Sequence, residues 1–583
     1  MTGLDRARPR GAFEGKGRPL PRWPWLVVTA LLLGGAYGWI SVELGQDANW
    51  DLLNYHFYNP WAFLHDRLDQ DIAPAQLQTY LNPLLDLPAY WLMHSAPPRA
   101  VGAALGALHG LNAWLLGWIA WAFFRSEPRA VRAAASVACA GFGSLGLEAV
   151  NLIGRTTNDN LVSLFGLTAL LILISDPGGQ PHAWRWAAAG LILGAGTGLK
   201  LTLAIHAVAF GLLAALAAGP LAERLRRVAL AGLSGLVGVL ATSGFWLLTM
   251  QEKFGNPFYP FWNGVFSSPY FGPYSANFYH YIPGPKDGWL GALLFPAHFA
   301  LEPELIHAPG HDFRFAACLL VTALALAAGL IRRRLPDWRL GALVVFMGVS
   351  YVLWVQLFHY SRMLLVVEML AGLYLLALAS RLLGGGWRSL VPGALLLLLL
   401  MLVQDPKPKG RLIWAEDFFG VEVPARLPEN LIVLLTDGRP LGYIPPHFPH
   451  SVRWIHLEGS LARHTKNTEY ERWIERELRE HTGAFMALVQ VRPGRQGVRR
   501  LPFGMRVDTS RCLSVNARLY RDTWLCAAFR KGEKPAPLPS GGPSEWSSGQ
   551  VLFSDGFEGG TAEAWSAVEG EEPQPPTRER PGS

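Results

Sequence analysis

Charge is what this sequence has little of. Asp, Glu, Lys and Arg make up 16% of its 583 residues, against roughly 25% in an ordinary soluble protein. A chain so poor in charge, 51% hydrophobic and with a mean hydropathy of +0.20, fits neither a soluble globular enzyme nor a disordered protein. Cysteine is scarce too. Four residues are too few for a disulfide scaffold or a cysteine-built metal framework. Nucleotide-binding signatures are missing as well: there is no Walker-type loop and no GxGxxG between a strand and a helix. What the chain does have is long apolar runs with short basic clusters between them, the pattern of an α-helical polytopic membrane protein. In such a chain the net charge of +7 sets orientation; it does not point to nucleic acid.

About 20 apolar residues suffice to cross the hydrocarbon core as a helix. The first run, 23–42, follows a basic stretch (1–22) with Arg6, Arg8, Arg10, Lys16, Arg18 and Arg22. No small-residue cleavage site follows it, so it reads as an anchor. Later runs fall at 99–124, 133–150, 160–175, 186–218, 228–250, 315–331, 339–357, 363–380 and 389–403. The long run 186–218 is read as two spans, split where Gly194, Gly196 and Gly198 would loosen a helix. About eleven crossings are expected. Counted alternately, Arg125/Arg129/Arg132, Arg224/Arg226/Arg227, Arg332/Arg333/Arg334 and Arg381/Arg388 all land in the cytoplasm, where basic loops belong. The loop 43–98, with seven acids against one Arg67, lands outside, as does 251–314.

The membrane part thus spans 23–403. A Pro/Lys linker (Pro406 to Gly410) opens an exported α/β domain over 404–533, with strands at Leu431–Leu435 and Phe485–Val491 and a helix near Glu469–Glu480. An oxidising compartment would let Cys512 pair with Cys526, whereas Cys139 and Cys318 read as packing residues. From 534 to 583 a Pro/Gly/Ser/Glu-rich composition predicts a disordered tail. Within it, Phe553–Gly559 is similar to an Asp-Gly-Phe-Glu element near the ends of some exported bacterial proteins.

Ionisable groups at membrane depth are costly and therefore mark function by default. Here they gather on the external side. Asp47 and Asp51 are four apart and would share one helix face; His56 follows as a further catalytic candidate, with Asn54 and Tyr55 as candidates for binding substrate. Asp159, beside Asn158, either caps the next helix, pairs with Arg155, or serves a substrate. Lys200 stands at a glycine-rich break, placed to hold a phosphate or to face a carboxylate. Residues 254–281 hold twelve aromatics in twenty-eight positions, among them Tyr259 close to Asn256. They suit sugar stacking or an interfacial belt. Arg362 begins a span on the outside and could grip a phosphate through two hydrogen bonds.

ATP is absent outside the cell membrane, so group transfer there needs a donor already activated in the lipid. A polyprenyl-phosphate sugar meets that need. Arg362 and Lys200 would hold the leaving phosphate, and a first-loop carboxylate would deprotonate the acceptor hydroxyl, with inversion at the anomeric carbon. A transporter or flippase for a lipid-linked sugar is the alternative; such proteins show repeated halves and a midplane site, and neither is seen in this sequence.

Asp51-x-x-Asn54-Tyr55-His56-x-Tyr58-Asn59, then Asp71-Ile-Ala-Pro74-Ala-Gln76, Gly198-Leu-Lys200 and Gly255-Asn-Pro257, resembles a group of bacterial membrane glycosyltransferases of the GT-C fold, over about residues 20–403. The resemblance implies an external phospholipid-donor site in the bacterial inner membrane, with Asp51 or Asp47 as base. The acceptor would be an envelope glycan, lipid or protein. A divalent metal, Mg or Mn, assists some members of the family, and the residues here do not demand one.

Overall fold

The computed structural model describes residues 23–177, 180–273, 284–285, 288–332, 337–406, 408–490, 496–519 and 523–537. The basic stretch 1–22, Arg333 and Arg334, the end of the aromatic segment, Lys407 and Val491 lie outside the described residues. So does the tail beyond 537 with its Phe553–Gly559 element.

Among the described residues, eleven helices follow the apolar runs: α1 (Trp23–Leu44), α2 (Pro98–Phe123), α3 (Arg129–Ser144), α4 (Asp159–Ile174), α5 (Ala183–Leu199), α6 (Ala204–Leu216), α7 (Leu221–Phe254), α8 (Arg314–Arg332), α9 (Trp338–Leu357), α10 (Leu365–Leu383) and α11 (Trp387–Leu402). Five stretches, at α1, α2, α7, α9 and α10, are long and apolar enough to cross a membrane. The others are shorter, so the expected eleven crossings reduce to five long spans with shorter helices packed between them.

The bundle is built around α10, whose residues Leu365–Leu378 are all buried. The outer helices turn apolar side chains outward instead. Leu233, Leu236, Val237, Leu240 and Leu248 of α7 are exposed, a continuous face that water would not tolerate on a soluble monomer. The glycine run of α5 does not break the helix as the sequence suggested. It is a packing seam: a Cβ at Gly194 would lie 1.9 Å from the Gly235 carbonyl oxygen of α7, and one at Gly198 would lie 2.3 Å from Thr242 Oγ1. Small residues let the two backbones touch. The chain breaks one residue later, at Lys200.

Contacts between helix ends show which ends lie together. At one end, Arg125 Nη1 and Arg339 Nη2 both donate to the Asp176 carbonyl, at 2.7 and 3.0 Å. At the other, residues just after α1 meet the chain just after α11: strand β1 (Gln46–Asp47) pairs with β2 (Arg411–Leu412).

The C-terminal region forms a mixed sheet. Strands β3 (Ile432–Leu435), β4 (Arg453–His456), β5 (Phe485–Gln490), β6 (Val498–Arg500), β7 (Met505–Ser514) and β8 (Thr523–Arg530) lie in the order β4-β3-β5-β8-β7-β6. The first three are parallel, and the helix Glu469–Glu480 joins β4 to β5. Cys512 and Cys526, cross-strand partners on β7 and β8, are joined by a disulfide. Cys139 is buried and Cys318 half-buried, both within the bundle core.

This sheet is not a separate body. It grips the first loop. Ile72 pairs with β4, donating to the Trp454 carbonyl at 2.8 Å and accepting from His456 N at 2.9 Å. Tyr443 N donates to the Leu53 carbonyl at 2.9 Å. Arg67, fully buried, bonds both Asp71 oxygens and the carbonyls of His450 and Val452. The loop is thereby fixed between bundle and sheet.

Candidate functional site

Asp47 and Asp51 do not share a helix face, because Asp47 lies in β1 and the helix begins only at Trp50. From Leu52 to His56 it winds as a wide π-type turn, a local geometry that recurs at functional sites. The two acids therefore meet different partners.

Asp47 is enclosed by backbone and side-chain donors. It accepts from Asn49 N and Nδ2, and from Thr156 N and Oγ1, at 2.7–3.1 Å. Arg155 Nε lies 3.6 Å away. Arg155 thus serves Asp47 and not Asp159.

Asp51 instead faces the cations. Its carboxylate takes a close hydrogen bond from Arg362 Nη1, supplied by the turn between α9 and α10. Arg362 Nε lies 3.9 Å from Asp159 Oδ2. Asp159 Oδ1 accepts from Lys200 Nζ at 2.7 Å, and Lys200 also donates to the Thr157 carbonyl at 2.7 Å. Four ionic side chains from the first loop, the start of α4, the end of α5 and the start of α10 thus form one chain of charge. Burial by itself would raise the Asp51 carboxyl, but the charge and hydrogen bond of Arg362 outweigh it and hold the group below the usual carboxylate range. Burial, then the Asp51 charge, pushes the Tyr55 phenol well up and keeps it neutral. Tyr360 stacks beneath the Arg362 guanidinium at 5.0 Å.

Asn158 does not cap α4. Its backbone is left-handed, φ 65°, without a side-chain cap bond, and its amide donates to Asp86 Oδ1 at 2.5 Å. The same oxygen lies 2.6 Å from His56 Nδ1. Asn54 supports the loop internally, donating to the Ala75 carbonyl and Gln78 Oε1, both at 3.2 Å.

Asn256 and Tyr259 are not brought to the cluster. Asn256 Nδ2 closes its own turn on the Phe261 carbonyl at 2.9 Å. Tyr259 is buried against Phe254 and Tyr80, its ring centroid 4.1 and 5.2 Å from theirs. The aromatic stretch that suggested sugar stacking serves, in this part, as core under the sheet region, because rings this close to apolar neighbours are worth more buried than wet.

Beside the cluster is a cavity of about 20 Å³ bordered by Asp159, Thr202, His206, Arg362, Met363 and Val366; it has room for about one water. A second buried ionic group stands nearby. Arg314 Nη2 pairs with Asp312 Oδ2 and Glu368 Oε1, each at 2.9 Å, and Glu368 caps the short helix Leu147–Asn151 through Glu148 N and Ala149 N. Glu148 in turn accepts from Ser361 Oγ at 2.6 Å, next to Arg362. Burial raises the Glu148 carboxyl. None of these acids stood out in the sequence reading, although Glu368 inside an otherwise apolar run was a usable signal.

A divalent ion does not suit this donor set. No group of three His, Cys, Asp or Glu side chains is placed to hold one among the described residues. Asp51 and Asp159, the carboxylates at the centre, already carry Arg362 and Lys200.

No protein-family model matches the chain, and no curated protein matches it. Among solved structures, the chain is similar to the Archaeoglobus fulgidus oligosaccharyltransferase in complex with zinc and sulfate, with a TM-score of 0.35 and 11% identity, over 79% of this chain and 67% of that one. A likeness so slight carries no argument, and the site stands on its own residues.

Proposed function

We propose that this chain is a membrane-embedded glycosyltransferase that moves a sugar from a polyprenyl-phosphate donor to an acceptor hydroxyl at the external face of a bacterial inner membrane. The observation behind the reading is the convergence of Asp51, Asp159, Lys200 and Arg362 at one end of an apolar helix bundle. The Lys/Arg-rich loops mark the opposite end as cytoplasmic. The site end faces outward, where the activated donor must arrive in the lipid.

Arg362 and Lys200 take the donor phosphate, the guanidinium through two parallel hydrogen bonds. The phosphate then competes with Asp51 for Arg362. Released, the Asp51 carboxylate orients the acceptor, whose reacting oxygen points at the anomeric carbon. A first-loop base removes the proton as the new C–O bond forms. The bond to the phosphate oxygen breaks and its electron pair leaves on the phosphate, stabilised by the two cations. Attack from the opposite face inverts the anomeric carbon. The acceptor is an envelope glycan, lipid or protein.

The test uses full-length protein in nanodiscs, undecaprenyl phosphate carrying radiolabelled mannose, glucose or arabinose, and envelope material as acceptor. Label should pass to the acceptor with release of undecaprenyl phosphate, and Arg362→Ala should lower transfer at least about 100-fold. Movement of donor across liposome bilayers with no release of undecaprenyl phosphate would replace the transferase by a flippase.

A further inference from the structure

We propose that His56 is the base that takes the acceptor proton, with Asp86 and Asn158 as its positioning residues; this rests on the transferase reading above. The argument begins with what each nitrogen of the ring does. His56 Nδ1 lies 2.6 Å from Asp86 Oδ1. An ionised carboxylate only accepts, so Nδ1 carries the hydrogen, and in the neutral ring Nε2 is the nitrogen with the lone pair. Among the described residues, Nε2 is buried and has no hydrogen-bond partner. Leaving a buried ring nitrogen unsatisfied costs free energy, and the remaining use for it is a substrate proton.

The surroundings hold this arrangement in place. Asn158 gives up the capping of α4 and adopts φ 65° to donate to Asp86 at 2.5 Å, a backbone conformation that non-glycine residues seldom take without cause. The Tyr55 ring packs on the imidazole, centroids 4.0 Å apart. Two charges face the ring: Asp86, ahead of the helix Leu87–Ser95, and Asp51, from its own turn. Asp51 itself is a poor base while it holds Arg362.

The step balances without a further reagent. The acceptor O–H proton moves to Nε2 as the oxygen bonds the anomeric carbon. The imidazolium is stabilised by Asp86, and the electron pair of the broken bond departs on the donor phosphate.

The same nanodisc assay, followed against pH, tests the assignment. His56→Gln should lower kcat about 100- to 10,000-fold while binding of undecaprenyl phosphate stays within about threefold of wild type. Asp86→Asn should lower kcat and move the acid limb of kcat to lower pH, since the imidazolium loses its counter-charge; Asp86→Glu should restore part of both. The undecaprenyl-phosphate binding measurement separates these effects from misfolding. If wild type transfers sugar and His56→Gln keeps its kcat, or the acid limb ignores Asp86→Asn, the His56 assignment is overturned while the transferase stands. If wild type transfers from none of the three donors, both readings fall.

Discussion

Asp47 and Asp51 lie four residues apart in the same loop, both buried, and the fold treats them oppositely. Asp47 is saturated: four donors and the nearby Arg155 leave it no capacity for a ligand. Among the described residues the Asp51 carboxylate accepts one hydrogen bond, from an arginine that a phosphate could claim. The difference lies in what each faces. The Asp47 carboxylate meets Asn49 of its own loop and Arg155 and Thr156 ahead of α4; Asp51 meets the gathered ends of α4, α5 and α10. A buried carboxylate whose partners are all fixed donors is a structural rivet. One whose partner is a side chain that a ligand could claim is a candidate for chemistry.

The largest effect that would sharpen this contrast is on turnover. Asp51→Asn should reduce sugar transfer at least about 100-fold with the fold intact by near-UV circular dichroism; retained transfer would make Asp51 another rivet. Next comes stability. Asp47→Asn should destabilise by about 3–5 kcal/mol, read from denaturant unfolding in detergent, with transfer by the folded fraction within about threefold of wild type. A turnover loss without a stability loss would reverse the two roles.

A pH series gives a smaller effect. Because Arg362 holds the folded Asp51 carboxyl below its ordinary value, the pair contributes stability above the usual carboxylate range, about pH 4, and loses it as pH falls through the depressed folded value. Asp51→Asn should therefore lower stability on the neutral side and flatten the acid side, so that the two curves converge below the depressed folded value. The smallest change is expected from Arg155→Lys, which keeps a cation at the 3.6 Å contact with Asp47 and should shift unfolding by no more than about 1 kcal/mol.

Part of the site was legible beforehand. Asp51, Asp159, Lys200 and Arg362 are charges at the margins of apolar runs, and such charges are retained only where something offsets their cost. That they would lie at one end was an inference from alternating the helices; in the structure they are in contact. Asn256 and Tyr259 misled because a Pro-punctuated aromatic run looks the same in sequence whether its rings bind a sugar or fill a core. Asp86 and Asn158 passed as a loop acid and a helix cap, since nothing local tells that they share one histidine. In the C-terminal region, the helix Glu469–Glu480 and the strands around Ile432 and Phe485 were readable from periodicity, whereas their grip on the first loop was not.

The sequence alone determined where apolar helices run, which loops carry basic charge and which charges stand close to the membrane, because hydropathy and charge act over a few residues at a time. Only the tertiary structure decided which acid is saturated and which is left with an exchangeable partner. That outcome depends on donors more than a hundred residues away, and on a close helix approach that glycine permits but does not announce.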